Sequence, residues 1–225
     1  MNEPPEDRIA DTFSWRDTAA RLKEVLADDD LVAEPERGCF RSAREVGDRS
    51  PAIRFHPPRV LPITADRLDP ERYLSSLDPL GLGRQVVVLI QAGSSAVGLW
   101  DETDLILHKV IRAYVVRGKG RAQMSHLKTK GKSRYGSRLR LQNWERQRVE
   151  TNQRLLDWRT ESGPFDVVHV SCPVRLWPDF YAADPPPPFP RDEALRIPIH
   201  VHRPDFNELV RVRRRLEWGR IERPH

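Results

Sequence analysis

Hydrophobic positions cluster along the chain, and their spacing predicts most of its regular elements. Gln85-Val86-Val87-Val88-Leu89-Ile90 is an unbroken β-branched run bracketed by Gly81, Gly83 and Gly93, the pattern of a buried strand. Ala96-Val97-Gly98-Leu99-Trp100 follows a tight turn at Gly93-Ser94-Ser95. Leu105 to Ile111 comes after the acidic turn Asp101-Glu102-Thr103-Asp104, and strand character resumes in Ala113-Tyr114-Val115-Val116. Successive strands with such short connections predict an antiparallel meander. Beyond Val116 the pattern stops: Gly118, Gly120, Gly131 and Gly136 lie among basic and small polar residues, so Arg117 to Gly136 reads as a long mobile loop. Ser137 then caps a helix of roughly six turns, to about Trp158, with Leu141, Trp144, Val149, Leu155 and Leu156 facing inward. Asp166 to Cys172 is a further strand, and Pro185 to Pro188 a stiff, solvated connector. Leu195 to Val201 reads as an edge strand because of Pro198. Pro204 opens an amphipathic closing helix with Phe206, Leu209, Val210, Val212, Arg213 and Leu216.

The first third is less regular. Met1 to about Phe13 is acidic and Pro-bearing and reads as disordered. Ser14 to about Leu26 places Trp15, Ala19, Leu22, Val25 and Leu26 on one helical face. Glu34 to Pro58 shows no clear period; Arg59 to Thr64 reads as a short edge strand and Asp66 to Leu77 as a short helix. Together these elements predict an α/β fold, a mixed β-sheet flanked by helices. Residues 1–82 form a mostly irregular, partly disordered N-terminal extension, and 83–219 the domain that carries function.

Composition narrows the class. In 225 residues, 38% hydrophobic and 32% charged, no stretch approaches the 18 apolar residues of a membrane span. The acidic start has no apolar core of a signal peptide. Two cysteines, Cys39 and Cys172, make neither a disulfide framework nor a zinc ribbon. The expectation is a soluble, cytoplasmic protein. Its net charge of +5 is concentrated: between His108 and Arg148 stand 13 Lys/Arg and one acid, Glu145. That is +12 in 41 residues, against 25 Lys/Arg and 32 Asp/Glu (−7) elsewhere. Segregated cations repel one another unless a polyanion neutralises them, which points to RNA.

Other candidate chemistry is sparse. His200 and His202 alternate along a predicted strand but have no third metal ligand placed by spacing, while Cys172 reads as a small core residue. Asp101, Glu102 and Asp104 form a turn cluster of the kind a metal-dependent nuclease uses, without the Glu-x-Lys that would follow on the next strand. No phosphate-cradling Gly-x-x-x-x-Gly-Lys-Ser/Thr loop is present. What stands out is Gly120-Arg121-Ala122-Gln123 in the basic loop. Glycine permits close backbone approach. A glutamine amide both donates and accepts, so it can orient a water although it cannot act as a general base.

His108-Lys109, followed by Tyr114-Val115-Val116-Arg117-Gly118-Lys119-Gly120-Arg121-Ala122-Gln123, resembles the strand-and-loop signature of the Vms-type release-factor-like family of ribosome-associated quality control. The resemblance continues through Gly136-Ser137-Arg138-Leu139-Arg140 and recurs from Ile197 to Leu209, so it covers about 83–218. It implies a domain related to the middle domain of archaeal and eukaryotic peptide-chain release factors, with an RNase H-like sheet. It also implies that Gln123 is catalytic and Gly120 the leading loop glycine, and that the loop enters the peptidyl transferase centre to free the nascent chain. Cleavage falls at the peptidyl ester or near the tRNA acceptor end. The implied partners are the large ribosomal subunit, peptidyl-tRNA and rRNA, with no cofactor, metal or membrane. Lys109, Arg112, Arg117, Lys119, Arg121, Lys128, Lys130, Lys132, Arg134, Arg138 and Arg140 are then the RNA contacts, mostly to phosphate. Arg121-Ala122 departs from the Gly-Gly that precedes the release-factor glutamine. Two other readings stand beside this one: a non-catalytic ribosome- or RNA-binding factor, and the metal-dependent nuclease.

Overall fold

A computed structural model describes residues 11–46, 50–51, 53–77, 81–113 and 132–223, with the backbone alone at 45–46, 50–51 and 132–140. The elements run β1 (Asp11–Ser14), α1 (Thr18–Asp28), β2 (Leu31–Glu34), β3 (Cys39–Ser42), β4 (Glu45–Val46), β5 (Ser50–Pro51), β6 (Arg54–His56), α2 (Pro70–Ser76), β7 (Arg84–Gln91) and β8 (Ser94–Asp101). They continue with β9 (Asp104–Arg112), α3 (Lys132–Ser162), β10 (Val167–Ser171), α4 (Trp177–Tyr181), β11 (Ala194–Arg196), α5 (Phe206–Leu216) and β12 (Trp218–Glu222). Two compact units divide them: Gly83–Val210, and Met1–Leu82 with Arg211–His225.

The Gly83–Val210 unit is built on a five-stranded mixed sheet in the order β11-β10-β7-β8-β9. β10 is parallel to both β7 and β11, whereas β7, β8 and β9 form the predicted antiparallel meander. Numbered by first appearance within the sheet the order is 5-4-1-2-3, an RNase H-like α/β arrangement. β7 is central and buried from Gln85 to Ile90; a strand covered on both faces calls for a continuous apolar run rather than alternation. Ala92-Gly93 joins β7 to β8, with Gly93 at φ 95°, so the turn begins one residue earlier than the sequence suggested and Ser94 and Ser95 belong to β8. Glycine reaches that φ without steric cost.

α3 makes the crossover from β9 back towards β10 and packs across β8 and β9. Its buried side chains include Trp144, Gln147, Thr151, Leu155 and Trp158, three or four residues apart on one face. Trp144, Leu155 and Trp158 join Val86, Val88, Ile90, Val97 and Leu99 in the core. The inward set expected for this helix is corrected in two places, because Leu141 is 64% and Leu156 36% exposed. The facing stripe runs instead through polar Gln147 and Thr151. β11 stops at Arg196, before Pro198, so His200 and His202 lie on irregular chain rather than on a strand.

The opposite face of the sheet is closed at Gly98. A Cβ there would stand 2.6 and 2.7 Å from Trp100 ring carbons and 2.9 Å from Leu209 Cδ2. Both neighbours are buried, so a methyl can be accepted only by displacing packed groups. Gly98→Ala is therefore expected to lower unfolding free energy by about 1–3 kcal/mol, read by urea denaturation; an unchanged midpoint would show that this face repacks freely.

The other unit corrects the expectation of a mostly irregular first third. Among its described residues is a second five-stranded sheet, β1-β12-β6-β3-β2, whose β1–β12 strand pair joins the two ends of the described chain. Its core contains Phe13, Leu22, Val25, Phe40, Phe55, Tyr73 and Ile221. Phe13 is thus core in a strand, not part of a disordered tail. Arg59 to Thr64, expected as an edge strand, is turn and irregular chain: Pro57, Pro58 and Pro62 remove the amides a ladder needs. α1 starts at Thr18 rather than Ser14, whose hydroxyl donates to Asp17 Oδ2 (2.7 Å) ahead of the helix.

Candidate functional site

The described chain leaves the sheet after β9 at Ala113 and resumes at Lys132, the first residue of α3. β9 is an edge strand whose register pairs Lys109 with Val97 and Arg112 with Ser94. Val97 belongs to the core beneath α3, so Lys109 is on that face. Ser94 is on the other face, where its hydroxyl donates to the Pro204 carbonyl at 2.5 Å. Three residues apart on a two-residue period, the two cations point to opposite sides of the sheet. Lys109 is half-buried beside α3 and Arg112 is exposed.

The β7–β8 turn is the node that holds the end of β9. Gly93 accepts from the Ala113 amide (3.0 Å) and donates from its own amide to Gln147 Oε1 (3.1 Å). Gln147 Nε2 donates in turn to the Gln91 carbonyl (2.9 Å) and to Ser95 Oγ (2.7 Å). Gln147 has no exposed surface, and a buried carboxamide is tolerable there because its donors and acceptor are matched. On the other side of the turn, Gln91 Nε2 donates to the carbonyls of Val201 and His202, both at 2.9 Å. One five-residue hairpin therefore ties the end of β9, the shaft of α3 and the chain before α5. That last segment is tied locally as well: the His202 amide donates to Glu208 Oε1 (2.6 Å), and Asp205 Oδ1 accepts from the Glu208 amide at 2.9 Å, capping the start of α5.

Of the candidate residues, Gln123, Gly120, Arg117, Lys119, Arg121, Lys128 and Lys130 lie outside the described residues. Lys132, Arg134, Arg138 and Arg140 fall on the N-terminal stretch of α3, where the backbone alone is described. Further along the helix, Arg148 is engaged within the fold. It donates to the Asp179 carbonyl at 2.8 Å and lies 5.8 Å from the Trp144 ring, whose Nε1 donates to Asp179 Oδ2. Among the described residues no group of three or more His, Cys, Asp or Glu is placed to hold a metal. Glu102, from the turn cluster proposed for a nuclease, instead accepts the Gly83 amide at 3.1 Å. The His200 and His202 rings pack edge to face at 5.0 Å, and His202 Nδ1 stands 3.3 Å from Glu208.

Sequence reasoning missed Gln91, Ser94, Ser95 and Gln147. The signal for Gln147 is visible in hindsight: a polar residue on a helical stripe otherwise set by Trp144, Leu155 and Trp158 has to find partners at the sheet. Gln91 and Ser94 carry no comparable signal, because polar residues beside a turn are ordinary.

Comparison with known proteins gives two findings. Residues 85–223 match the family model described as Bacteroidetes VLRF1 release factor, a span that contains the meander, the whole basic segment, α3 and the chain into α5. A solved structure titled "Vms1 mitochondrial localization core" aligns over 89% of this chain and 80% of that one, at 12% identity and a TM-score of 0.49. No curated protein matches the chain. Among the described residues no helix is long and apolar enough to cross a membrane.

Proposed function

Because the chain belongs to the Bacteroidetes VLRF1 release factor family, we propose that it frees nascent chains from peptidyl-tRNA on stalled large ribosomal subunits, in the cytoplasm, through Gln123. The observation that carries this reading is that the matched span encloses Gly120-Arg121-Ala122-Gln123 within a segment of +12. The Gly83–Val210 unit is then the catalytic domain.

In this reading the Gln123 carboxamide orients a water against the ester that joins peptide to tRNA, and its backbone amide faces the developing oxyanion. The water oxygen bonds to the acyl carbon, the ester C–O bond breaks, and the ribose oxygen leaves as a hydroxyl carrying the displaced proton. Glutamine neither gains nor loses a proton. Positioning is its whole contribution, which is why the node at Gly93 and Gln147 matters. Lys128, Lys130, Lys132, Arg134, Arg138 and Arg140 would meet phosphates, with Lys109, Arg112, Arg117, Lys119 and Arg121 nearer the root and tip.

The reading is tested on purified large subunits carrying peptidyl-tRNA. The expected products are free peptide and tRNA with an intact acceptor end. A shortened tRNA would assign cleavage to a phosphodiester, and no peptide release in any condition would reduce the protein to a binding factor. Binding has its own signature: replacing Lys128, Lys130 and Lys132 with glutamine should flatten the dependence of log affinity on log salt by roughly two to three, measured by co-sedimentation. An unaltered slope would remove these lysines from the interface.

A further inference from the structure

Beside the root of the basic segment, on the sheet face turned away from α3, is a shallow groove lined by Val110, Arg112, Asp205, Phe206 and Asn207. Phe206 opens α5 and is 42% exposed, although Leu209, three residues on, is fully buried. Its ring lies 4.7 Å from that of His108, tilted by 50°, so one aromatic edge is supported and part of the ring remains open to solvent. Arg112 and Asn207 are exposed beside it. The helix start is not itself the attraction, because the Glu208 amide is already capped by Asp205. Recognition here belongs to side chains: a flat apolar ring, a guanidinium and a carboxamide.

That combination suits one chemistry. An unstacked base lies on an aromatic face, a guanidinium meets the adjoining phosphate, and a carboxamide pairs with the donors and acceptors of a base edge. Duplex RNA cannot use the ring, since its bases are stacked on one another. We propose that this groove holds an unpaired nucleotide of single-stranded RNA. Resting on the release reading above, the segment it would take is the unpaired end of peptidyl-tRNA. Arg112 is followed immediately by Ala113, where the described chain leaves β9 for the segment carrying Gln123.

The test titrates the full chain with a short, unstructured, fluorescently labelled RNA and with the corresponding duplex. Phe206→Leu keeps an apolar side chain on α5 but removes the stacking face. It is expected to weaken single-strand binding roughly tenfold and leave duplex binding unchanged, while Phe206→Trp retains binding. Arg112→Gln is expected to weaken the single strand and lower its salt slope by about one. Wild-type affinity in Phe206→Leu, an equal loss for strand and duplex, or no single-strand binding by the wild type would each overturn the proposal. The release reading is judged separately, by peptide release in a Gln123 variant, so either can fail alone.

Discussion

Replacing Gln147 with leucine is expected to lower the melting temperature by on the order of 10 °C. Leucine is an uncharged side chain of comparable size, so the effect is chiefly the loss of hydrogen bonding. The substitution strips partners from three groups at once: the Gly93 amide, the Gln91 carbonyl and the Ser95 hydroxyl. A buried polar group left without a partner costs about 1–3 kcal/mol; the Gly93 amide and Gln91 carbonyl are only part-buried and the buried Ser95 hydroxyl can rotate towards another acceptor, so the sum is about 2–4 kcal/mol. For a chain of this length each kcal/mol is worth about 2–4 °C. Thermal unfolding followed by circular dichroism measures it. A fall below about 2 °C would mean that solvent satisfies the node, and that α3 is not tied to the hairpin through Gln147. Amide exchange adds a local reading, since the Ala113 amide bonds to Gly93 and should exchange faster in the variant.

The sequence made the Gly83–Val210 unit legible where one element carried its own signal. Val86 to Ile90 could only be a strand covered on both faces, and the short polar turns after it left the meander as the natural pairing. The same logic failed in the first third. Its strands are two to four residues long, and the core of that unit unites Phe13, Phe40 and Phe55 with Ile221 from the far end. Tertiary contact, not local period, makes them strands. On α3 the error was to take Leu141 and Leu156 as inward: both lie off the stripe that Trp144, Leu155 and Trp158 define, and Gln147 lies on it.

The candidate site was legible as charge and motif but not as geometry. Clustering of lysine and arginine can be counted, whereas the divergence of Lys109 and Arg112 requires a known strand register. Phe206 was read as one more apolar position of the closing helix. Its exposure and its contact with His108 depend on where β9 lies beside α5, which no local pattern encodes.

The second large effect concerns Gln123 itself. On the proposed mechanism Gln123→Ala leaves the surrounding cations in place, so recruitment to the ribosome persists while the oriented water is lost. Removing one preorganised group of this kind lowers a rate by roughly 100- to 1000-fold. Gln123→Glu is expected to fail comparably, because a carboxylate accepts hydrogen bonds but cannot donate one, and it adds negative charge next to the developing oxyanion. Since no proton is exchanged with the side chain, the wild-type rate should show no ionisation attributable to residue 123.

Single-turnover release of a labelled nascent chain from stalled large subunits, at saturating protein, therefore bears most directly on the account. It predicts rapid release by the wild type and a rate lower by at least roughly 100-fold for Gln123→Ala, with both proteins co-sedimenting equally at the same salt. Release by the alanine variant at the wild-type rate would contradict it.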